Sequence, residues 1–296
     1  MGIDNSTACA PVERLRIIVL GYIVRGPVGG MAWCDLHYLM GLLSLGHDVY
    51  YVEDSGDSIW CCYDPSRNTT DADPTYGLGF AKSIFAKVGL TDRWAYYDAH
   101  RACWCGPCAS KIFEICATAD LVLNLAGVNP LRSWFMQIPS RALVDKDPAF
   151  TQIRHIADPA EKEVASRDTG FFTFGENVAW SPGTIPQDGL AWQPTRHPIF
   201  LEAWPVCPGQ ARGSFTTVML WDSYRSVEHD GVRYGMKSDS FGPFLDLPQK
   251  VGQVFELAVG GATAPRTLLA DNGWKVQNPL ETASDPWTYR RYIQQA

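Results

Sequence analysis

The sequence predicts an α/β protein built from two parallel-sheet lobes, the second of them incomplete. Three observations lead there. Short apolar runs that stop at glycine or at an acid alternate with helical patterns along most of the chain, the mark of a parallel sheet with helices on both faces. A glycine-rich turn, Gly26-Pro27-Val28-Gly29-Gly30, opens the first helical pattern. From Trp192 to Pro208 prolines and aromatics interrupt the alternation before it resumes, as an interdomain crossing does.

The elements follow in order. Arg16 to Gly21 is an apolar run of the kind buried on both faces of a sheet. After the glycine turn, Leu36, Leu39, Met40 and Leu43 recur at helical spacing up to Gly46, where a left-handed cap is wanted. Val49 to Val52 is a second strand ending in Glu53 and Asp54, so this segment is one βαβ unit. Further on, Ala81–Leu90 reads as helix, Arg93–Tyr97 as strand, Ser110–Thr118 as helix, and Leu121–Leu125, Arg141–Asp145 and Phe171–Phe174 as strands. Beyond the crossing come a strand at Phe215–Trp221, a helix over Leu247–Gly260, a strand or turn around Trp274–Val276 and a last helix from Asp285 to Ile293. The expected division is a tail (1–13), a first Rossmann-like lobe (14–208) and a partial second lobe (209–296). That last stretch falls short of the roughly 100–150 residues of a typical domain.

Composition narrows the function. A content of 46% hydrophobic residues supplies sizeable cores, and a net charge of −7 without a basic stripe argues against a nucleic-acid surface. No apolar run is long enough to cross a bilayer and the first residues lack a signal-peptide pattern, so a cytoplasmic protein is expected. The nine cysteines are expected to be reduced thiols. Cys103, Cys105 and Cys108, with His100, could be imagined as a zinc knuckle, but the missing second Cys-x-x-Cys pair leaves no metal expected.

In a parallel sheet, ligands bind outside the carboxyl ends of the strands. The first helix aims its unpaired N–H groups there, and glycines let an anion approach closely. Gly29 and Gly30 are therefore candidate phosphate-binding residues, with Arg25 beside them; a plain tight turn and a solvated arginine are the alternatives. The spacing Gly21, Gly26, Gly29, Gly30 does not fit the dinucleotide fingerprint, although Glu53 stands where a ribose-binding acid would.

The segments Gly29–Trp33 with Gly46–Glu53, Asp145–Arg154, Phe172–Asn177 and Tyr234–Phe241 resemble a bacterial group of GT-B-like glycosyltransferases. The resemblance implies two Rossmann-like lobes, the first holding an acceptor and the second a nucleotide-sugar donor. It also places Gly29 and Gly30 toward the donor diphosphate, with no cofactor beyond the nucleotide-sugar. Relatives of this type would continue past Trp287–Ile293, so a truncated or degenerate member is expected. The partners expected are a nucleotide-sugar and a small-molecule or glycan acceptor, without nucleic acid.

Sugar transfer needs a base for the acceptor hydroxyl and positive charge for the departing diphosphate. Asp147 ranks first and Glu176 second as the base, each lying just past a predicted strand. The alternative for Asp147 is a cap on a helix begun by Pro148. Lys237 and Arg225 are the candidate diphosphate cations of the second lobe. A non-catalytic scaffold that kept the first lobe and a nicotinamide-dependent oxidoreductase leaning on Glu53 are the rival readings.

Overall fold

In the computed structural model, which describes residues 13–178, 185–208, 213–252 and 254–296, the first lobe is organised around one sheet. Its strands are β1 (Arg16–Leu20), β2 (Asp48–Asp54), β5 (Trp94–Asp98), β6 (Cys103–Cys105), β7 (Leu121–Leu125), β8 (Ser140–Asp145), β9 (Gly170–Thr173) and β10 (Trp192–Pro194). A small hairpin, β3 (Cys62–Asp64) with β4 (Thr69–Asp71), lies between β2 and β5 in sequence. The spatial order is β10-β9-β8-β7-β1-β2-β5-β6. All neighbours run parallel except β5 and β6. The chain builds outward from β1 to one side and then from β7 to the other, so the topological switch point lies between β1 and β7.

Helices α1 (Gly29–Ser44), α2 (Thr75–Lys87), α3 (Ile112–Ala117), α4 (Phe150–Ala157) and α5 (Pro159–Ala165) connect these strands. Side chains alternate across a strand. Ile17 and Val19 enter one core with Trp33, Leu36 and Leu39 of α1 and Phe85 of α2. Ile18 and Leu20 enter the other with Ile112, Ile115 and Phe135. A strand covered on both faces has no polar side, which is why this run reads as unbroken apolar sequence.

The second lobe holds a three-stranded parallel sheet, β11 (Phe215–Leu220), β14 (Phe255–Gly260) and β15 (Lys275–Gln277), with β14 in the middle. A hairpin of β12 (Val227–His229) and β13 (Val232–Tyr234) turns at Asp230-Gly231, both at positive φ as a two-residue hairpin loop requires. Helices α6 (Lys237–Ser240), α7 (Leu247–Val251), α8 (Arg266–Asp271) and α9 (Pro279–Thr282) complete it, and α10 (Pro286–Gln294) follows in the chain. Trp221, Leu257, Val259, Leu269 and Trp274 form its core. Two parallel-sheet lobes joined by a crossing are the α/β architecture expected.

Two expectations are corrected and a third is not reached. The helix expected over Leu247–Gly260 is only α7, because Gly252 turns left-handed at φ +68 and Phe255–Gly260 becomes the central strand of the second sheet. Trp192–Pro194 is the edge strand of the first sheet, with Trp192 buried, so the crossing begins after it. The expected tail lies outside the described residues up to Val12.

The last helix does not stay with the second lobe. Asp285 caps α10, accepting from the amides of Trp287 and Thr288 at 2.9 and 3.2 Å. The helix then packs against α1. Trp33 donates its indole N–H to the Pro286 carbonyl at 2.6 Å, Trp287 packs 6.1 Å from Trp33, and Arg290 reaches the Ala203 carbonyl at 2.6 Å.

Candidate functional site

At the switch point, where a ligand is expected, the protein fills its own crevice. Glu53, fully buried at the end of β2, accepts from the amides of Ile23 and Val24 at 2.8 and 2.7 Å through one oxygen and from the Arg25 amide at 2.7 Å through the other. The Tyr51 hydroxyl joins them. Burial still dominates these donors and the nearby Arg25 charge, and pushes the carboxyl up to about 7. Asn129, after β7, bridges the Asp54 amide and the Gly21 carbonyl at 2.8 Å each. Asp35 of α1 accepts from the Tyr22 amide at 2.6 Å and from Lys146 at 3.1 Å. A Cβ on Gly21 would strike that carboxylate, so glycine is needed here for close approach.

This geometry corrects the phosphate assignments of Arg25, Gly29 and Gly30. Arg25 directs its guanidinium to the carbonyls of Asp54 and Val128 at 3.0 and 2.9 Å and stacks over Tyr22. The Gly29 amide donates to the Ala283 carbonyl at 2.7 Å, and a Cβ there would collide with the Asp285 backbone and Tyr289. Gly30 faces the Tyr289 ring. The glycines thus admit the α10 segment, and an incoming phosphate would have to displace it. Glu53 is likewise unavailable to a ribose, which removes the ground for a nicotinamide enzyme.

The edge after β8 is built differently. Buried Asp145 is a hub: one oxygen accepts from the Asp147 amide and the Thr151 hydroxyl at 2.9 and 2.7 Å, the other from Gln152 and Thr173 at 3.1 and 2.7 Å. Gln152 also accepts from the Ala149 amide at 2.7 Å. Ala149 is held at φ +74, a strained value for a residue with a Cβ, costing about 1–3 kcal/mol, of the sort that accumulates at functional loops. Helix α4 starts at Phe150, and Asp147 does not cap it with its side chain. Instead one Asp147 carboxylate oxygen, Oδ2, accepts from the Tyr224 hydroxyl of the second lobe at 2.9 Å. Among the described residues no hydrogen bond engages the other oxygen.

Glu176, the second candidate base, is exposed and ion-paired with Arg196. That hydrogen-bonded guanidinium holds its carboxyl below the usual range, which is unsuitable for taking up a proton near neutral pH. The structure therefore gives Asp147 an interlobe contact and leaves Glu176 on the surface.

Across from Asp147 lies the carboxyl edge of the second sheet. Asp222, just past β11, accepts from Thr263 at 2.6 Å and from Ser238. Arg266 ties the carbonyls of Val259 and Gly261 at 3.0 Å each. Lys237, the first residue of α6, and Arg225 are exposed and have no ion pair among the described residues. Tyr224 was missed in the sequence although it stands four residues past the end of β11, the same signal that singled out Asp147.

Other candidates are structural. His37 accepts from the Phe200 amide at 2.9 Å, and burial lowers its imidazole to about 4. Trp192 packs on His155 and Phe171, Trp204 on Trp33, and Trp221 on Phe241. Cys103 is exposed while Cys108 and Cys116 are buried, and among the described residues no group of three or more His, Cys, Asp or Glu side chains has metal-holding geometry.

No protein-family model matches the chain, and no curated protein matches it. Solved structures that are similar include an alpha-glucosyltransferase in complex with UDP-glucose and DNA containing an abasic site (12% identity, TM-score 0.46, covering 88% of this chain and 61% of that one). Another is an alpha-glucosyltransferase in complex with UDP and a 13-mer DNA containing an A:G mismatch (10%, 0.44, 87% and 59%). A third is an alpha-glucosyltransferase in complex with UDP (9%, 0.45, 88% and 62%). The chain thus spans about 60% of their length, and a likeness this distant does not reach the chemistry of any residue.

The exclusion of nucleic acid is nonetheless corrected. It rested on a net charge of −7, whereas the similar structures carry UDP and DNA in one complex. A whole-chain sum does not decide a contact made by a few local cations. No helix among the described residues is long and apolar enough to cross a membrane.

Proposed function

We propose that the chain belongs to a sugar-transferring protein that moves a glycosyl group from a nucleotide-diphosphate donor to an acceptor hydroxyl. One observation carries the reading. Asp147, beyond the end of β8, meets Tyr224, beyond the end of β11, at 2.9 Å. The carboxyl edges of two parallel sheets therefore confront each other at an acid with one oxygen open.

In this reading Asp147 takes the acceptor proton while the acceptor oxygen attacks the anomeric carbon and the sugar–phosphate bond breaks. Lys237 and Arg225 offer positive charge to the departing diphosphate. Aspartate is a weak base in water, so its contribution comes from position and from exclusion of water as the lobes close. A small molecule, a glycan or a nucleic acid can each present the hydroxyl.

The first test is donor consumption with a panel of nucleotide-sugars. Asp147→Asn should retain the fold, since Oδ1 of Asn still accepts from Tyr224, and should lower turnover by about a hundredfold or more. Unchanged turnover would remove Asp147 from the chemistry. A second reading, a non-catalytic binding protein, is favoured by the α10 segment seated on the glycine turn. It predicts no thermal shift with millimolar UDP, whereas the transferase reading predicts a rise of several degrees.

A further inference from the structure

Tyr224 enters the first lobe's site from the second, and the way it does so assigns it a task. We infer that Tyr224 is a positioning residue for Asp147: its hydroxyl pins Oδ2, so that Oδ1 stays directed at the interlobe crevice. This deepens the transferase reading and rests on it for its catalytic consequence.

The supporting geometry comes from both sides of the bond. On the first-lobe side, the Asp147 amide is fixed by the buried Asp145 hub and the backbone that follows passes through the strained Ala149. The main chain of Asp147 is thereby set, and only its side-chain rotation remains free. The Tyr224 bond removes that freedom. On the second-lobe side, the Tyr224 ring packs 5.8 Å from Phe150, the first residue of α4. A phenol held by such a contact loses little entropy when its hydroxyl is used.

The hydroxyl itself stays protonated: the residue is 53% exposed, and partial desolvation of the phenol together with the facing carboxylate pushes it up to about 12. It is a donor throughout the physiological range and does not compete with Asp147 for the acceptor proton. The titratable and charged groups around it are Asp147 and Arg154 from the β8–α4 region and Tyr22 from the loop after β1. Because the donor and the acceptor of this bond belong to different lobes, the site is assembled only while the lobes are together.

The experiment compares wild type with Tyr224→Phe, which keeps the ring on Phe150 and deletes only the oxygen. Two readouts are taken on the full chain. At one fixed neutral pH, the NMR chemical shift of the Asp147 side-chain carboxyl carbon should differ between wild type and the variant, since the hydrogen bond from the Tyr224 hydroxyl is lost. With the nucleotide-sugar that wild type consumes, kcat should fall roughly tenfold while the donor KM changes less than about twofold. An unmoved carboxyl signal overturns the inference whatever the turnover. A moved signal with unchanged kcat overturns the positioning role. If wild type consumes no nucleotide-sugar, the transferase reading fails separately and the carboxyl signal still decides whether Tyr224 holds Asp147.

Discussion

Two loops leave the carboxyl edge of the same sheet and end in opposite conditions. Around the turn after β1 the chain engages its own polar groups: Glu53 of β2 by three backbone amides and Tyr51, one terminal nitrogen of Arg25 by two carbonyls, and Gly29 by Ala283, while Arg25 Nε is buried without a partner among the described residues. After β8, the hub of Asp145 fixes the backbone, yet Asp147 is left with one oxygen bonded across the lobes and the other open. A glycine-rich turn and an acid past a strand look equally like ligand sites in a sequence. What separates them is whether a distant segment has already taken the place of the ligand, and here α10 has done so at the first loop only.

The largest effect expected from breaking this contrast is at Gly29. Gly29→Ala puts a Cβ into the Asp285 backbone and the Tyr289 side chain, and overpacking of that kind costs about 2–3 kcal/mol. Gly30→Ala meets only the flat Tyr289 ring at 3.4 Å, so it should be neutral or stabilise the helix by up to about 1 kcal/mol. Denaturant unfolding of the two variants measures the difference. Equal stability would mean that α10 is not tightly seated and that the turn is open to a phosphate after all.

The pair also shows how far the sequence could be read. Ile17–Leu20 and Val49–Val52 were legible because the middle of a strand buried on both faces is apolar, and Asp285-Pro286 announced α10 because a capping acid followed by proline is a local signal. Phe255–Gly260 was misread as helix since an apolar run next to a short helical pattern carries no period that separates the two states. The closure of the glycine turn was beyond local reading. It depends on Ala283, Asp285 and Tyr289, more than 250 residues away in the chain. Tyr224, in contrast, stands past a strand end as Asp147 does, but a neutral tyrosine carries no charge that marks it in the sequence as a group for substrate or proton transfer.

A second expected effect concerns the sheet between the two loops. Asn124 of β7 donates to one oxygen of Asp168 at 3.3 Å, while the Asn124 side-chain carbonyl and the other Asp168 oxygen are buried without a partner among the described residues. Burial raises the Asp168 carboxyl to about 7. In the unfolded chain the same group ionises near its ordinary value of 3.8. Between those values the folded state holds a proton that the unfolded state has lost, so the stability due to Asp168 declines as pH rises from about 4 to about 7. Glu53, also raised to about 7, acts in the same direction. Asp168→Asn replaces the ionisable group with an amide that donates to Asn124 at any pH. The variant should be more stable than wild type by about 2 kcal/mol at pH 8 and should lose part of the slope below pH 7. An unaltered pH profile would show that Asp168 is solvated in the fold.

The smallest effect is expected where the sequence placed a second base. Glu176 lies beyond β9 as Asp147 lies beyond β8, but its partner is a surface arginine of its own lobe, and both side chains are more than half exposed. Solvent screens such a pair, so deleting its charge changes little. Glu176→Gln should leave the melting temperature unmoved and donor turnover within about twofold of wild type, against the hundredfold loss expected for Asp147→Asn. The two variants together ask whether standing past a strand is enough to make an acid functional. A large loss for Glu176→Gln would answer yes and shift the site toward β9. A loss confined to Asp147 would show that the interlobe bond to Tyr224, and not the strand end alone, selects the acid.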